Sequence, residues 1–168
     1  MRRDLLTDYE WFFRTTYPSL LRTVVLITRD HARGEEICQD AFLELLQKWS
    51  VVADYEHPQA WVRRVAVRMA VRAARRDRRR TLLEVIARAD PASRAETPWW
   101  PDVDLARALG ALPPRQRASV VLHYLEDLPV GEVARVLQVS DSTVKQHLFR
   151  ARQRLALELG EEVTEHVD

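Results

Sequence analysis

Glycine occurs at only four of the 168 positions, Gly34, Gly110, Gly131 and Gly160, and each is isolated. A chain so poor in glycine cannot build a glycine-rich loop to cradle a phosphate or a dinucleotide, and it lacks the punctuation that separates short strands. Helices are therefore expected throughout. The single Cys38 excludes an internal disulfide and a multi-cysteine zinc site. At the amino terminus, MRRDLLTDYEWFF, acids interrupt what a signal peptide would need as an apolar run, and no later stretch approaches a membrane span. A soluble cytoplasmic protein without membrane insertion is expected.

Three segments emerge along the chain. From about Asp8 to Arg80 the apolar residues recur at helical spacing, with breaks near 28–33 and near 50–58. From 81 to 104 the pattern weakens, and Pro91, Pro98, Pro101 and scattered acids suggest a linker. From Leu105 to Gly160 the helical period returns, with turns suggested at Leu112-Pro113-Pro114, Asp127-Leu128-Pro129 and Val139-Ser140-Asp141. The expected fold is all-α: two small helical domains, 8–80 and 105–160, joined by the linker 81–104.

Net charge is near zero, but its distribution is uneven. Between Val62 and Arg80 stand nine arginines and one acid, Asp77, whereas residues 1–61 carry seven basic groups against ten acidic ones. A dense basic block on an otherwise non-basic body points to a local polyanion site. If residues 61–79 form one helix, Arg64, Arg68, Arg72, Arg75 and Arg79 line one stripe, and Val62, Val65, Ala66, Met69 and Ala73 line the opposite, buried one. Like charges so placed repel one another, and only Asp77 offers local neutralisation. A phosphate backbone suits the guanidinium fork better than solvent does. Tyr55 and His57, in the loop expected at 50–58, could stack on unpaired bases or be ordinary loop residues.

A second amphipathic helix is expected over 34–49, burying Ile37, Cys38, Ala41, Leu45 and Trp49. Its other face carries Glu36, Gln39, Asp40, Leu43, Glu44 and Gln47. An exposed Leu43 within an acidic surface could anchor a protein partner with a basic rim, although a polar outer face is also the default for any surface helix. Further along, the stretch 128–155 reads as a helix-turn-helix. Val133, Ala134 and Leu137 point inward on the first helix, Ser140 to Ser142 offer caps, and Val144, Leu148, Ala151 and Leu155 form the buried stripe of the second. Ser142, Lys145, Gln146, Phe149, Arg150 and Gln153 fall on the outer face, where lysine, glutamine and arginine read base edges and Phe149 can meet a thymine methyl. His31, Glu35 and Cys38 make a conceivable metal corner. A helix break expected at 30–34 and the want of further ligands argue against it, so no metal, cofactor or catalytic group is expected.

Several motifs in order carry a family resemblance. Glu35-Glu36-Ile37-Cys38-Gln39-Asp40-Ala41-Phe42 and His57-Pro58-Gln59-Ala60-Trp61-Val62-Arg63-Arg64 resemble region two of the extracytoplasmic-function (ECF) sigma factors of the sigma-70 family. Ala111-Leu112-Pro113-Pro114-Arg115-Gln116-Arg117, Tyr124-Leu125-Glu126-Asp127-Leu128-Pro129 and the helix-turn-helix resemble region four, and the entry to the Trp61 helix looks closest to the SigE-like branch. The resemblance implies a promoter-recognition subunit with no catalysis of its own. Its partners would be RNA polymerase core (β′ and β subunits) and promoter DNA, and an anti-sigma factor is a further partner the family allows. Glu36, Gln39, Asp40, Leu43 and Glu44 would bind the β′ coiled coil. The 50–58 loop with Tyr55, and Trp61, Arg64, Arg68, Arg72, Arg75 and Arg79, would engage the minus-ten element. Lys145, Gln146, Phe149 and Arg150, with Ser142, would meet the minus-thirty-five element, with Arg117 and Thr143 on its backbone. Gln138 and Ser142 stand where the family often has glycine, so the turn at Gln138 is expected to be slightly remodelled. The rival reading is a free-standing helix-turn-helix regulator that never joins polymerase.

Overall fold

The computed structural model describes residues 4–87 and 103–160, and every regular element among them is helical. The chain divides into two compact units, 1–74 and 75–168.

The first unit comprises α1 (Leu5–Thr28), α2 (His31–Val52) and the leading half of α3 (Pro58–Ala87). Its first turn is tighter than the sequence suggests. Only Arg29 and Asp30 leave the helical path: Arg29 takes a left-handed φ of 59° and its N–H returns to the Val25 carbonyl at 2.7 Å, while Asp30 caps α2 by accepting from the Arg33 N–H at 3.0 Å. The break expected over 30–34 is thus absent, and His31 and Glu35 lie on one continuous helix, 3.7 Å apart as a weak ion pair. No cluster of three metal-ligating side chains occurs among the described residues. Gly34 is buried against α1, and a Cβ built there would lie 2.6 Å from Cγ2 of Val25.

Aromatic rings fill the seam between α1 and α2. Phe42, outside the stripe expected from spacing, is 2% exposed. It meets Phe13 edge-on at 4.8 Å, with Tyr17 at 5.8 Å and Phe12 at 6.3 Å. The polar atoms of this cluster find partners, as burial demands: the Tyr9 hydroxyl donates to the Phe42 carbonyl at 2.8 Å and the Trp49 indole N–H to the Leu5 carbonyl at 2.9 Å. Ile37, Cys38, Ala41, Leu45 and Trp49 are buried as expected.

Cys38 is fully buried, and burial pushes its thiol up from 9.0 to about 12. Stability from this group is therefore complete below the unfolded value near 9 and is lost as pH rises from there towards 12. Alkylation of Cys38 at pH 9 is expected to run about five-hundredfold slower in the folded chain than in urea, since half of the unfolded thiol and only about a thousandth of the folded one is then ionised. Equal rates in the two conditions, read by mass spectrometry, would show the thiol to be accessible.

α3 departs from expectation in two ways. Its buried residues are Val62, Ala66, Val67, Ala70, Val71 and Ala74, whereas Val65, Met69 and Ala73 are only half-buried. The apolar residues surround enough of this helix that spacing alone does not select the packed stripe. Moreover, α3 begins at Pro58, three residues before Trp61, and runs on to Ala87, so part of the expected linker is helical. Thr81–Ala87 are all exposed, and their strong helix formers with no glycine or proline carry the helix onward without burial. α2 likewise reaches Val52, which shortens the loop expected over 50–58 to residues 53–57. Pro91, Pro98 and Pro101 lie outside the described residues.

The second unit holds α4 (Val103–Ala111), α5 (Pro114–Val120), a π turn over Val121–Leu125, α6 (Val130–Leu137) and α7 (Asp141–Leu159). α4, α5 and α6 all pack on α7. Leu109, Leu112, Ala118, Val121, Leu122, Val133, Val144, Leu148 and Ala151 are among the residues buried in it. At the helix-turn-helix corner Gln138 itself adopts the left-handed conformation (φ 57°, ψ 47°), and the Val139 N–H reaches the Ala134 carbonyl at 3.1 Å. The corner is made with glutamine where glycine would be unstrained. Ser140 then caps α7, accepting from the Thr143 N–H at 3.2 Å.

Candidate nucleic-acid interface

α7 turns Val144, Leu148 and Ala151 inward, which obliges the opposite side of the same helix to face solvent. Lys145, Gln146, Phe149 and Arg150 are all exposed there, and Phe149 keeps 54% of its surface accessible. An exposed phenylalanine beside three hydrogen-bonding side chains has an apolar contact and directional donors on one helix face. Ser142 is exposed and Thr143 half-buried, and both hydroxyls lie close to that of the capping Ser140, at 3.0 and 2.8 Å. They form the polar first turn of α7.

Arg117 requires a correction. It is 7% exposed, with its Nε donating to the Leu109 carbonyl at 2.9 Å and an Nη to the Leu112 carbonyl at 3.0 Å. Leu109 lies in the last turn of α4, where its carbonyl accepts the Leu112 N–H at 3.2 Å in a tightened final turn. Arg117 adds a charged donor from α5, and a cation at a helix carboxy-terminal end is also electrostatically favoured. Its guanidinium is thus spent inside the unit and not offered to a DNA backbone.

Two residues absent from the sequence-based set stand on the same surface. Arg115 is exposed one turn before Ser119, and His147 is half-buried one turn before Arg150. Ser119, itself fully buried, donates its hydroxyl to the Arg115 carbonyl at 2.9 Å and lies 3.3 Å from Nδ1 of His147. Burial first, then the charges of Arg115 and Arg150, lower the pKa of His147 from its ordinary 6.5. Spacing along α7 already pairs His147 with Arg150, but nothing in the sequence indicates that Ser119 lies across from them.

On α3 the basic stripe divides by depth. Arg72, Arg75 and Arg79 are exposed, while Arg64 and Arg68 are half-buried. Nε of Arg64 is buried with no acceptor, and burial, with the Arg64 and Arg72 charges on either side, lowers the pKa of Arg68. Mutual repulsion along the stripe is therefore a property of the folded helix. Asp77, the one acid within the block, lies 3.6 Å from Arg80 and so faces an arginine outside the stripe. Trp61 is half-buried with Lys48 Nζ 5.4 Å from its ring centroid, and Tyr55 and His57 are exposed in the short loop before α3.

The outer face of α2 carries Glu36, Gln39, Asp40, Leu43 and Glu44. Leu43 is 58% exposed. Glu36 is paired with Arg33 at 3.1 Å and Glu44 with Lys48 at 3.2 Å, so part of the acidic character is offset locally. Exposed ion pairs of this kind are weak and leave the carboxylates open to a stronger cationic partner. No described helix is long and apolar enough to cross a membrane.

The family description "Sigma-70 region 2" matches residues 12–80, and "Sigma-70, region 4" matches residues 102–155. The chain is 32% identical to the RNA polymerase sigma-E factor of Streptomyces antibioticus over 162 residues, which is 95% of this chain and 88% of that protein. It is 30% identical to the ECF RNA polymerase sigma factor SigM of Mycobacterium tuberculosis over 155 residues, covering 90% of this chain and 77% of that one. Among solved structures it is similar to the sigma factor RpoE in complex with the anti-sigma factor NepR from Bartonella quintana. That likeness has a TM-score of 0.70 at 20% identity over 94% of this chain and 99% of that chain. CnrH in complex with the cytosolic domain of CnrY gives 0.62 at 21% identity over 92% and 89%.

Proposed function

This chain belongs to the ECF sigma factors of the sigma-70 family, and from that premise we propose that it directs core RNA polymerase to specific promoters and assists their melting. The observation that carries the proposal is the outward set Lys145, Gln146, Phe149 and Arg150 on α7, held rigidly by the buried side of the same helix. In this reading region 2 spans 8–80, the linker 81–104 and region 4 105–160. The chain works in the cytoplasm as an initiation factor and carries out no catalysis. A free-standing helix-turn-helix regulator would leave the exposed Leu43 and its acidic surroundings without a purpose.

The labour divides physically. Glu36, Gln39, Asp40, Leu43 and Glu44 bind the β′ subunit of the core enzyme, whose β subunit is a further partner. The arginine stripe from Arg64 to Arg79, with Trp61 and Tyr55, engages the minus-ten element, and α7 reads the minus-thirty-five element. Each half alone binds DNA modestly, and core polymerase holds both so that two weak sites act together. Melting costs free energy, part of which the binding of splayed bases offsets. The relatives solved with anti-sigma factors support a regulatory partner of that kind for this chain as well.

The test is reconstituted transcription: purified chain with core polymerase on a genomic promoter pool should initiate at a defined subset. Absence of any initiation, with no copurification of core, rejects the role. Within that assay Gln146→Ala, which removes an exposed side chain of α7 able to pair with a base edge, is expected to cost about 1–2 kcal/mol and to relax recognition at one upstream position. Arg72→Ala should weaken DNA engagement evenly across sequences and lessen its salt dependence. Identical sequence profiles for the two variants would contradict the division.

A further inference from the structure

We propose that Arg115, His147 and Arg150 form a phosphate seat where α5 meets α7, and that His147 takes up a proton when DNA occupies it. The proposal rests on the reading of α7 as the promoter-facing helix and adds to it two residues, Arg115 and His147, and a pH dependence. Arg115 stands one turn before Ser119 on α5 and Arg150 one turn after His147 on α7, with Ser119 and His147 in direct contact at 3.3 Å, so that the two arginines flank the imidazole and their charges act on it. Such a group has the composition of an anion site.

Ser119 determines the imidazole's proton pattern. Its one hydrogen is given to the Arg115 carbonyl at 2.9 Å, so towards His147 its oxygen can only accept, and Nδ1 must carry a proton. The neutral ring therefore keeps its lone pair on Nε2, at the far end from Ser119. A lone pair repels a phosphate oxygen, whereas a protonated Nε2 donates to it. In the free protein the second proton is opposed by burial and by the two arginines. A phosphate between those arginines leaves the ring buried but offsets their charges and supplies an acceptor, so the ring's pKa is expected to be higher in the bound state than in the free one.

Of the other charged groups, Arg75, Arg78 and Arg79 of α3 line a pocket with Arg115, and several on the elements packed against α7 have partners of their own. On α4 Asp104 pairs with Arg107 at 3.0 Å, and on α6 Glu132 pairs with Arg135. Arg117 of α5 is bonded inward, and Arg152 of α7 donates to the hydroxyl of Tyr124 in the π turn at 3.2 Å. His123, in the same turn, is bonded through Nδ1 to the Leu128 carbonyl at 2.8 Å. The acid of the first turn of α7, Asp141, sits beside Gly131, where an added Cβ would lie 3.9 Å from its Oδ2.

The sign follows from linkage. With the bound-state pKa above the free-state value, binding takes up a proton between the two, and affinity rises as pH falls through that window, by up to about tenfold per pH unit for one proton. The probe is a 20-base-pair duplex of arbitrary sequence, since a phosphate contact does not depend on base identity. In the full chain, the His147 imidazole, assigned by its loss in H147Q, should titrate below 6.5 alone and higher once duplex is added. Affinity for the same duplex should rise several-fold more between pH 8 and pH 6 in the wild type than in H147Q. H147R, permanently charged, should bind tightly with no such slope, and it serves equally if H147Q folds poorly. Duplex binding with an unmoved imidazole pKa, or equal slopes in wild type and variants, overturns the seat while leaving the sigma-factor reading intact. A wild-type chain without affinity for any duplex or for core polymerase overturns both.

Discussion

Arg117→Ala is expected to destabilise the second unit by about 1–3 kcal/mol, because two carbonyls lose a charged donor inside the fold and an unsatisfied buried acceptor costs about that much. The two acceptors are those of Leu109 and Leu112, at the end of α4; the Leu109 carbonyl keeps the Leu112 N–H at 3.2 Å, so the cost falls mainly on that of Leu112. Arg117→Lys should recover little, since an ammonium cannot span both carbonyls in the manner of a planar fork. Hydrogen exchange followed by mass spectrometry separates the outcomes. Amides of residues 103–159 should exchange much faster in both variants, and those of α1 and α2 should not change. A protein of normal stability that has merely lost affinity for DNA would place the guanidinium on the outer surface, as the family resemblance had implied.

Gly34→Val should destabilise the first unit by about 2–3 kcal/mol, the ordinary cost of forcing atoms into a packed seam. The added Cβ would sit 2.6 Å from Val25 Cγ2, and its two methyl groups would extend the clash. Helix propensity works the other way, since valine is the better helix former, so a loss of stability isolates the steric effect. The companion Val25→Ala removes the obstructing methyls. Although harmful alone through its cavity, it should rescue part of the Gly34→Val loss, giving a favourable coupling in the double-mutant cycle. Urea unfolding of each variant supplies the four free energies. Additive losses would mean that α1 and α2 separate more freely than their close approach implies. Because α2 also carries Leu43 and Asp40, core-polymerase binding should fall in Gly34→Val and return with the rescue.

Much of the architecture was legible along the chain. The stripe of α2, the inward residues of α6 and, apart from the half-buried Leu155, of α7, the serine cap at Ser140 and the outward Phe149 all follow from spacing and from the chemistry of caps. The family motifs, read in order, named two regions that the comparisons match at 12–80 and 102–155. Errors gathered where the local pattern was degenerate. Along α3 apolar residues occupy several faces, so Val67, Ala70, Val71 and Ala74 were overlooked as core in favour of Val65, Met69 and Ala73. At Thr81 the apolar periodicity ends but the helix does not, because periodicity reports burial and not helicity.

What the chain determined by itself is therefore whatever depends on neighbours within a turn or two: helix content, caps, and which face of α2 and of α7 is apolar. Tertiary structure decided which cations were free to act. Arg117 and Arg115 are two residues apart and chemically identical, yet one ends on the carbonyls of α4 and the other stays exposed beside α7. That difference is fixed by where other helices stop and start. A guanidinium takes the acceptors nearest to it in space, and distance in space is not a quantity that local sequence pattern contains.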